Sequence, residues 1–439
     1  MKKLFMLFAI LALSLSFSGC TFFETDTEAL MRPPVFTEEQ EKLNKALTEV
    51  IGESYVLKYP QTGEMNSAFI FKDLDNDGTE EAMAFYSLLD DSTRINILKK
   101  EGENWVSVYE AAGFYGEIEK VEFAEMDEKG EAIIIKWEQE AGIYRYESER
   151  LESLYRASCE GMDIVDINGD GFEDVVVLSG NPIGKTNVNI AYSNGKDLCI
   201  TESISINAGY DNIYSKHVGK LSDGETFYFI DSEIYEGVYL TEMVALEEDR
   251  AKRYFAADFV EYEDEEPEDE SDGVIVIVGG DYGKRGIFLR NTKAECMDIN
   301  NDGFVEFPVE YREDYAQDAS DDIFFIQYMS YDGIEAETVW NGIVNNEEGY
   351  LFSVPESWNE KVTVSFGTST EELVFKETRS GKVILEVCSV MKSDYQDKYE
   401  DYILSAEDET KNYYVKVFAE PESEFYIVPE TFEKNFIFK

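Results

Sequence analysis

Short apolar runs separated by polar turns recur along most of the chain. Ala82–Tyr86, Val175–Leu178 and Phe307–Tyr311 are examples, and each follows an acidic segment that contains glycine. Runs of this length, bounded by turn residues, are typical of β-strands, whereas helices need about ten residues or more. The dipeptide Asn194-Gly195 between two further runs predicts a tight hairpin. The pattern therefore predicts a mainly β protein with antiparallel strands.

One segment near the start has the period of a helix instead. Residues 37–40, Thr-Glu-Glu-Gln, form a capping box, in which the first and last side chains bond to each other's backbone N–H groups. Apolar residues follow at helical spacing, and a glycine ends the segment: Leu43, Leu47, Val50, Ile51 and Gly52. One amphipathic helix is expected before the first strand.

The first 20 residues have the pattern of a secretory signal. Two lysines precede an apolar run over 4–17, which is too short to span about 30 Å of hydrocarbon as a permanent helix. The ending Phe17-Ser18-Gly19-Cys20 resembles the lipobox of bacterial lipoproteins, which implies removal of residues 1–19 and lipid on Cys20. Residues 20–36 would then be a tether to a membrane. The alternative is an ordinary signal peptide in which Cys20 is incidental.

The strongest internal signal is a nine-residue segment that occurs three times. Each copy has oxygen-bearing side chains at positions 1, 3, 5 and 9 and glycine at position 6. The first copy runs from Asp73 to Glu81, with Asp73, Asp75, Asp77, Thr79 and Glu81 at the odd positions. The second has Asp166, Asn168, Asp170, Phe172 and Asp174, and the third has Asp298, Asn300, Asp302, Phe304 and Glu306.

This spacing suits a hard cation such as Ca²⁺, which takes six to eight oxygen ligands at about 2.3–2.6 Å. A tightly curled loop turns alternate side chains inward, and glycine at position 6 permits the sharp turn. Position 7 would supply its backbone carbonyl. An EF-hand is rejected because position 12 holds Ala84, Val177 and Val309 instead of an acidic residue. The prediction is up to three structural Ca²⁺ ions; the alternative is acidic turns that bind nothing.

At this point the sequence resembles the FG-GAP and VCBS-like repeats, in which a D-x-D-x-D-G-x-x-D loop joins two strands of a β-propeller blade, as in integrin α-subunits. The resemblance covers the three loops, and no Phe-Gly or Gly-Ala-Pro signature accompanies them. It implies a β-propeller-like domain of about five to seven blades over residues 37–348. Together with the lipobox, it also resembles a group of bacterial lipoproteins.

Two further segments look like copies that have lost the ion. In residues 123–132, Lys129 stands at position 5, where an ammonium could replace the charge of a cation. In residues 219–224, position 3 is Leu221, so the oxygen cage fails. Counted with these, the copies recur at intervals of 41 to 79 residues, near the period of propeller blades. The longest interval holds residues 261–272, nine of which are acidic, and this run predicts a solvated loop.

The chain changes character after residue 348. Strands are predicted around 362–365, 373–376, 383–390 and 415–418, and a capping box predicts a helix from Asp394. These elements predict a smaller α+β domain over 349–439. Trp358 is expected in its core, with a ligand groove as the alternative.

Composition excludes several function classes. The net charge of −55 argues against nucleic acid, because nucleic-acid binding needs a basic surface. The four cysteines besides Cys20 form no C-x-x-C pair, so buried thiols are expected, and one or two disulfides stay open. The single histidine, His217, is expected at the surface, and no G-x-S-x-G elbow accompanies it. Residues 179–186 resemble a P-loop but are one residue too short, so a plain loop is expected.

These observations predict a lipid-anchored extracytoplasmic protein whose calcium ions make its loops rigid. Its expected work is non-catalytic binding or adhesion to an extracellular protein or glycan. The competing hypothesis is a polysaccharide hydrolase or lyase that uses acidic residues of the propeller. A compact acidic cluster in a deep pocket, apart from the three loops, would favour the enzyme.

Overall fold

A computed structural model describes residues 37–88, 92–254, 258–261, 275–278, 289–311, 323, 325–332, 335–394 and 399–438. The predicted signal peptide, Cys20 and the tether lie outside these residues, as do 262–272 of the acidic run. No helix in the described ranges has both the length and the apolar composition to span a membrane.

The predicted N-terminal helix is present as α1 (Glu38–Ile51). Both bonds of its capping box form: the Gln40 N–H donates to Thr37 Oγ1 at 3.2 Å, and the Thr37 N–H donates to Gln40 Oε1 at 3.0 Å. Leu43 and Leu47 are fully buried against the first sheet. The helix therefore covers one face of the sheet that carries the first acidic loop.

The rest of the described chain is mainly β, as predicted, and forms six antiparallel sheets of four or five strands in chain order. Sheet 1 contains β1 (Val56–Lys58), β2 (Phe69–Lys72), β3 (Glu81–Ser87), β4 (Ser92–Glu101) and β5 (Asn104–Tyr115). Sheet 2 contains β6 (Ile118–Ala124), β7 (Ala132–Trp137), β8 (Glu140–Glu147) and β9 (Arg150–Ser158). Sheet 3 contains β10 (Gly161–Val165), β11 (Asp174–Gly180), β12 (Thr186–Ser193), β13 (Leu198–Ile200) and β14 (Ile204–Ser205).

The second half of the chain repeats this arrangement. Sheet 4 contains β15 (Ile213–Lys220), β16 (Thr226–Tyr235), β17 (Val238–Glu247), β18 (Arg250–Tyr254) and β21 (Leu289–Arg290). A separate ribbon is made by β19 (Asp258–Glu261) and β20 (Ile275–Val278). Sheet 5 contains β22 (Phe307–Tyr311), β23 (Phe325–Tyr331), β24 (Ala336–Asn345), β25 (Tyr350–Ser353) and β31 (Phe436–Phe438). Sheet 6 contains β26 (Val362–Phe366), β27 (Glu372–Glu377), β28 (Val383–Met391), β29 (Ile403–Glu407) and β30 (Lys411–Val417).

Each sheet shares a buried core with the next sheet along the chain. The strands are apolar because they are covered: β3 and β7, for example, are buried along their whole length. Five clusters of buried apolar residues join sheets 1 and 2, 2 and 3, 3 and 4, 4 and 5, and 5 and 6. Among the described residues no such cluster joins sheet 6 to sheet 1, so closure into a propeller ring stays a prediction.

The C-terminal region continues the same packing. The expected domain boundary at 348/349 lies in the hairpin between β24 and β25, and β31 returns to pair with β25. Trp358 is buried, as expected, in the core that sheets 5 and 6 share. In the described part of 349–438 the regular elements are strands and two short 3₁₀ helices, Glu356–Trp358 and Pro429–Asn435. The helix expected from Asp394 begins on residues 395–398, which lie outside the described residues, and it does not extend to Ile403, which begins β29.

Candidate metal centres

The three acidic loops occupy equivalent places in alternate sheets. Loop 1 (Asp73–Glu81) joins β2 to β3 in sheet 1, and loop 2 (Asp166–Asp174) joins β10 to β11 in sheet 3. Loop 3 (Asp298–Glu306) leads into β22 of sheet 5, and the bridge between Met297 and Glu306 joins its ends. The expectation that the loops join antiparallel strands is confirmed for loops 1 and 2, whereas loop 3 has only the single bridge of Met297 on its leading side.

Their backbones turn in the same way. The residue at position 4 has positive φ in every loop, with 57° at Asn76, 73° at Gly169 and 60° at Asn301. The glycine at position 6 follows with φ of 87°, 89° and 93° in loops 1, 2 and 3. Positive φ is costly for most side chains but accessible to glycine and tolerated by asparagine. The sequence choice at positions 4 and 6 therefore produces the curled shape.

The aspartate at position 1 is held by the turn it starts. Its two oxygens accept the backbone N–H groups of positions 5 and 6. The distances are 3.1 and 2.9 Å at Asp73, 3.2 and 3.0 Å at Asp166, and 3.0 and 2.9 Å at Asp298. The N–H of position 7 donates to the carboxylate of position 5 at 2.8, 2.9 and 2.9 Å in loops 1, 2 and 3. These hydrogen bonds hold the acidic side chains in place without an ion.

The carboxylate at position 9 is the most informative group in each loop. Glu81, Asp174 and Glu306 are fully buried at the first residue or bridge of the following strand. In each of them one oxygen accepts the N–H of position 2, at 3.0, 3.1 and 3.0 Å. Among the described residues, the other oxygen has no hydrogen-bond partner in any of the three loops. A buried carboxylate with an unpaired oxygen is costly unless a cation compensates it.

The raised pKa values of these carboxylates reflect the cost of burying their negative charge. Burial raises the pKa of Asp174 to about 7, and burial also raises the pKa of Glu306 to about 7. Burial raises the pKa of Glu81 as well. In each case the nearby loop aspartates raise the pKa further, because like charges repel. A divalent cation would reverse this balance by stabilising the ionised form.

The oxygen atoms that the loops offer as ligands are of the kind that a hard cation prefers. In loop 1, carboxylate oxygens of Asp73, Asp75 and Glu81 lie within 4.8 Å of one another. In loops 2 and 3, position 3 is an asparagine whose amide donates to the carboxylate of position 5, at 3.0 Å from Asn168 and 2.9 Å from Asn300. All these side-chain ligands offer oxygen, and no sulfur or imidazole belongs to the predicted set. The ligand chemistry therefore fits Ca²⁺ in all three loops, although among the described residues only the carboxylates of loop 1 converge this closely, and the carbonyls of Thr79, Phe172 and Phe304 stay predicted ligands.

Loop 1 differs from the others because a lysine enters it. Lys99 Nζ, on β4, lies 2.9 Å from Asp77 Oδ2, 3.3 Å from Asp75 Oδ2 and 3.6 Å from Glu81 Oε1. Its hydrogen bond to Asp77 raises the pKa of Lys99, and the same bond lowers the pKa of Asp77. Sequence reasoning missed this residue, which lies 18 positions after Glu81.

The two degenerate copies lie at the equivalent hairpins of sheets 2 and 4. In sheet 2 the expectation for Lys129 is wrong, because its ammonium bonds to the Lys196 carbonyl outside the loop. The charge partner of the loop is instead Arg145, whose Nη2 lies 2.9 Å from Asp127 Oδ1 in a buried ion pair. In sheet 4 the expectation that the oxygen cage fails is confirmed, since Leu221 is buried in the core between sheets 4 and 5.

A polar cleft lies apart from the loops, across the first strands of sheets 2, 3 and 4. It consists of two adjoining cavities of about 410 and 240 Å³, which share Lys120, Glu122 and Met162. Its acidic side chains are mostly paired. Lys136 Nζ lies 3.1 Å from Glu119, Lys120 Nζ lies 2.5 Å from Glu122, and Lys216 contacts Asp163.

Other sequence expectations are settled by packing. His217 lines the cleft instead of standing free at the surface: its ring stacks on Phe229 at 5.3 Å, and burial lowers its pKa. Cys159, Cys296 and Cys388 are buried and Cys199 is half-buried, and within the described residues none of the four forms a disulfide. The segment that resembles a P-loop joins β11 to β12 as a turn, and no helix follows it.

Comparison with known proteins adds little to these observations. No family model and no curated protein matches the chain. A crystal structure of a protein from Lactobacillus plantarum is similar at 12% sequence identity and a TM-score of 0.27, covering 73% of this chain and 84% of that one. The function of the chain is therefore inferred from its own residues.

Proposed function

We propose that this is a calcium-stabilised repeat protein, held outside the cytoplasm by lipid on Cys20, that binds an extracellular protein or glycan without catalysing a reaction. The observation that carries the proposal is the buried carboxylate at position 9. In three separate loops it keeps one oxygen without a hydrogen-bond partner, beside further oxygen ligands. A buried carboxylate oxygen that recurs without a partner beside other loop oxygens calls for a compensating cation, and Ca²⁺ would supply both the charge and the missing contact.

Calcium would act on this chain by fixing the loops. Positions 3 to 6 of the loops are mostly exposed, so the ion would lie near the surface, where one end of each odd-numbered sheet turns. An ion that ties positions 1, 3, 5 and 9 together would join the exposed turn to the buried start of the next strand. Rigid loops on a strand scaffold are the usual place for recognition. The loops would thus become a surface for a partner.

The polar cleft supports binding more than hydrolysis. A glycoside hydrolase needs one carboxylate that is free to attack or to activate water and a second that donates a proton. Three of the four acidic side chains that line the cleft, Glu119, Glu122 and Asp163, are each engaged by a lysine, and Glu160 is the fourth. The competing enzyme hypothesis predicts release of reducing ends or unsaturated products from polysaccharides, and loss of that release in Asp163→Asn. Such activity would overturn the non-catalytic proposal.

Thermal unfolding of the purified full-length chain in detergent tests the calcium proposal. At about 2 mM Ca²⁺ and the affinities of about 10⁻⁴–10⁻³ M typical of extracellular modules, each site should add roughly 0.6–1.8 kcal/mol. The melting temperature should therefore rise with Ca²⁺ and fall again with chelator. Asp166→Ala and Asp298→Ala should each remove part of the gain.

Asp223→Ala is the matched control for these substitutions. Asp223 is an exposed loop aspartate in the equivalent hairpin of sheet 4, where it accepts only the N–H of Glu225, at 2.9 Å. This variant should keep the full calcium response. A wild-type melting temperature that ignores both Ca²⁺ and chelator would contradict the proposal.

The lipid anchor has its own test. Cells that produce the full chain and take up a labelled fatty acid should label the wild type, and Cys20→Ser should remove the label. The labelled protein should sediment with the membrane fraction, because more than one acyl chain gives stable anchoring. Equal labelling of Cys20→Ser would refute lipidation at this residue.

A further inference from the structure

The ammonium of Lys99 lies where loop 1 would be expected to hold its cation. It contacts three of the four side chains that the loop offers as ligands: Asp75, Asp77 and Glu81. The unpartnered oxygen of buried Glu81 is the one that faces it, at 3.6 Å. Lys99 is itself only 23% exposed, so the chain holds it in the loop and not in solvent.

The register of the sheet explains why only loop 1 receives a lysine. Ala82 pairs with Leu98 across β3 and β4, so Glu81 lies opposite Lys99 with both side chains on one face. The same step in sheet 3, beside the Val175–Ala191 pair, sets Tyr192 opposite Asp174. In sheet 5, beside the Phe307–Met329 pair, it sets Ser330 opposite Glu306. The two other loops therefore have a neutral side chain at the position of Lys99.

An additional carboxylate in loop 1 balances the positive charge of Lys99. Loop 1 has four carboxylates at positions 1, 3, 5 and 9, whereas loops 2 and 3 have three, because position 3 is Asn168 or Asn300. With the ammonium counted, positions 1, 3, 5 and 9 of each loop carry a formal net charge of −3. The hydrogen bonding between positions 3 and 5 also differs. In loops 2 and 3 the asparagine amide at position 3 donates to the carboxylate at position 5. In loop 1 Lys99 donates to the carboxylates at both positions.

We propose that Lys99 is an internal competitor for Ca²⁺, so that loops 2 and 3 bind the ion while loop 1 is held closed by its own ammonium. The inference rests on the proposed calcium function and refines it, because it predicts two strong sites where the sequence predicts up to three. An ammonium and a divalent cation repel each other at these distances. Ca²⁺ can enter loop 1 only if Lys99 gives up three carboxylate contacts and swings out.

The consequence is a molecule whose sheets respond differently to calcium. Sheet 1, which packs against α1, keeps an ordered loop when Ca²⁺ is scarce, because its counter-charge is covalently attached. Sheets 3 and 5 depend on the ion in solution. Lys99 thus determines where along the chain the calcium response occurs.

Counting bound ions tests the inference. Calorimetric titration and equilibrium dialysis of the full-length chain in detergent should give two Ca²⁺ per wild-type chain. Lys99→Ser, which copies Ser330 of sheet 5, should give three, and adding Asp75→Asn reproduces the side-chain ligand types of loop 3. The affinity of loop 1 should rise at least roughly ten-fold in both variants. Asp73→Ala should return the Lys99→Ser chain to two ions and leave the wild-type count unchanged.

Lys100→Ser is the matched control. It removes the same charge from the next residue of β4, whose ammonium bonds to Glu39 of α1 and not to the loop. It should keep two ions. Lys99→Met, which retains the aliphatic stem, repeats the test should the serine variant unfold.

The outcomes separate the two proposals. Three ions in both the wild type and Lys99→Ser would overturn the competitor role and leave the calcium function standing, and two in both would do the same. No ions in either chain would overturn both. No ions in the wild type but one in Lys99→Ser would support the competitor role and contradict calcium binding at loops 2 and 3.

Discussion

Sheets 1, 3 and 5 and sheets 2 and 4 share a glycine of positive φ in the corresponding turn but stabilise that turn by different means. In the odd-numbered sheets a buried carboxylate with an unpartnered oxygen lies beside other loop oxygens. At position 3 of the corresponding turn, Asp127 of sheet 2 is matched by Arg145, and sheet 4 has the buried apolar residue Leu221. The turn glycine can thus be kept while a cation, an ion pair or a leucine stabilises its surroundings. The dependence on calcium should therefore be confined to sheets 3 and 5, because Lys99 already supplies a cation in sheet 1.

The largest expected effect comes from breaking the ion pair of sheet 2. Arg145→Ala leaves Asp127 buried without its partner, which should lower the free energy of unfolding by about 3–5 kcal/mol. The loss should be the same with Ca²⁺ and with chelator, and denaturant titration measures it. Removing both partners in Arg145→Ala/Asp127→Ala should cost less than the single change. If Ca²⁺ restored the lost free energy of unfolding, the turn of sheet 2 would depend on calcium, which would contradict the proposed difference between the sheets.

Substitutions in loops 2 and 3 should show the opposite dependence. Asp174→Ala removes a position 9 carboxylate, so roughly 0.6–1.8 kcal/mol of calcium-dependent stability should disappear at about 2 mM Ca²⁺. Denaturant titration with and without chelator gives the difference. The double variant Asp174→Ala/Glu306→Ala should unfold identically in both conditions. A full calcium response in this double variant would refute the assignment.

The pH dependence should distinguish the same loops. The pKa values of Asp174 and Glu306 are raised to about 7, above their ordinary 3.8 and 4.5, so between these limits the folded chain holds protons that the unfolded chain has released. Their contribution to stability in chelator is therefore complete below about pH 4 and is lost as the pH rises through 7. Melting temperatures from pH 4.5 to 8 measure this decline. Asp174→Asn/Glu306→Gln should flatten it, and an unchanged decline would assign it to other groups.

The smallest expected effect concerns position 4 of loop 2. Gly169 has φ of 73°, and asparagine occupies the same position with φ near 60° in the other two loops. A Cβ added there meets nothing within 4 Å, so only backbone strain matters. Gly169→Asn should change stability by roughly 0.5 kcal/mol or less, whereas Gly169→Ala should cost about 1–2 kcal/mol. Equal effects in thermal unfolding would show that the three turns are not equivalent.

Much of the candidate site follows from the sequence because its geometry is local. Oxygen side chains at alternate positions and glycine at position 6 predict the curled loop, and the apolar run after Glu81 predicts the strand that buries position 9. The strands and the helix α1 are likewise predicted by short-range pattern and capping.

The groups that distinguish the loops come from neighbouring strands, and local pattern does not reveal them. Lys99 reaches loop 1 through the pairing of β3 with β4, and Arg145 reaches Asp127 from β8. Register across strands depends on turns whose lengths the sequence does not specify closely. The prediction for Lys129 was wrong for this reason, since it depended only on the place of that lysine within its own segment. The continuous core of sheets 5 and 6 across residue 348 is also a long-range feature.

Anomalous diffraction from crystals grown with Ca²⁺, and from crystals in which Tb³⁺ replaces it, would locate the bound ions. We expect strong peaks beside the unpartnered oxygens of Asp174 and Glu306, and none in loop 1, where Lys99 keeps its contacts with Asp75 and Asp77. Crystals of Lys99→Ser should add the third peak. Peaks at none of the loops, or equal peaks at all three in the wild type, would contradict the account.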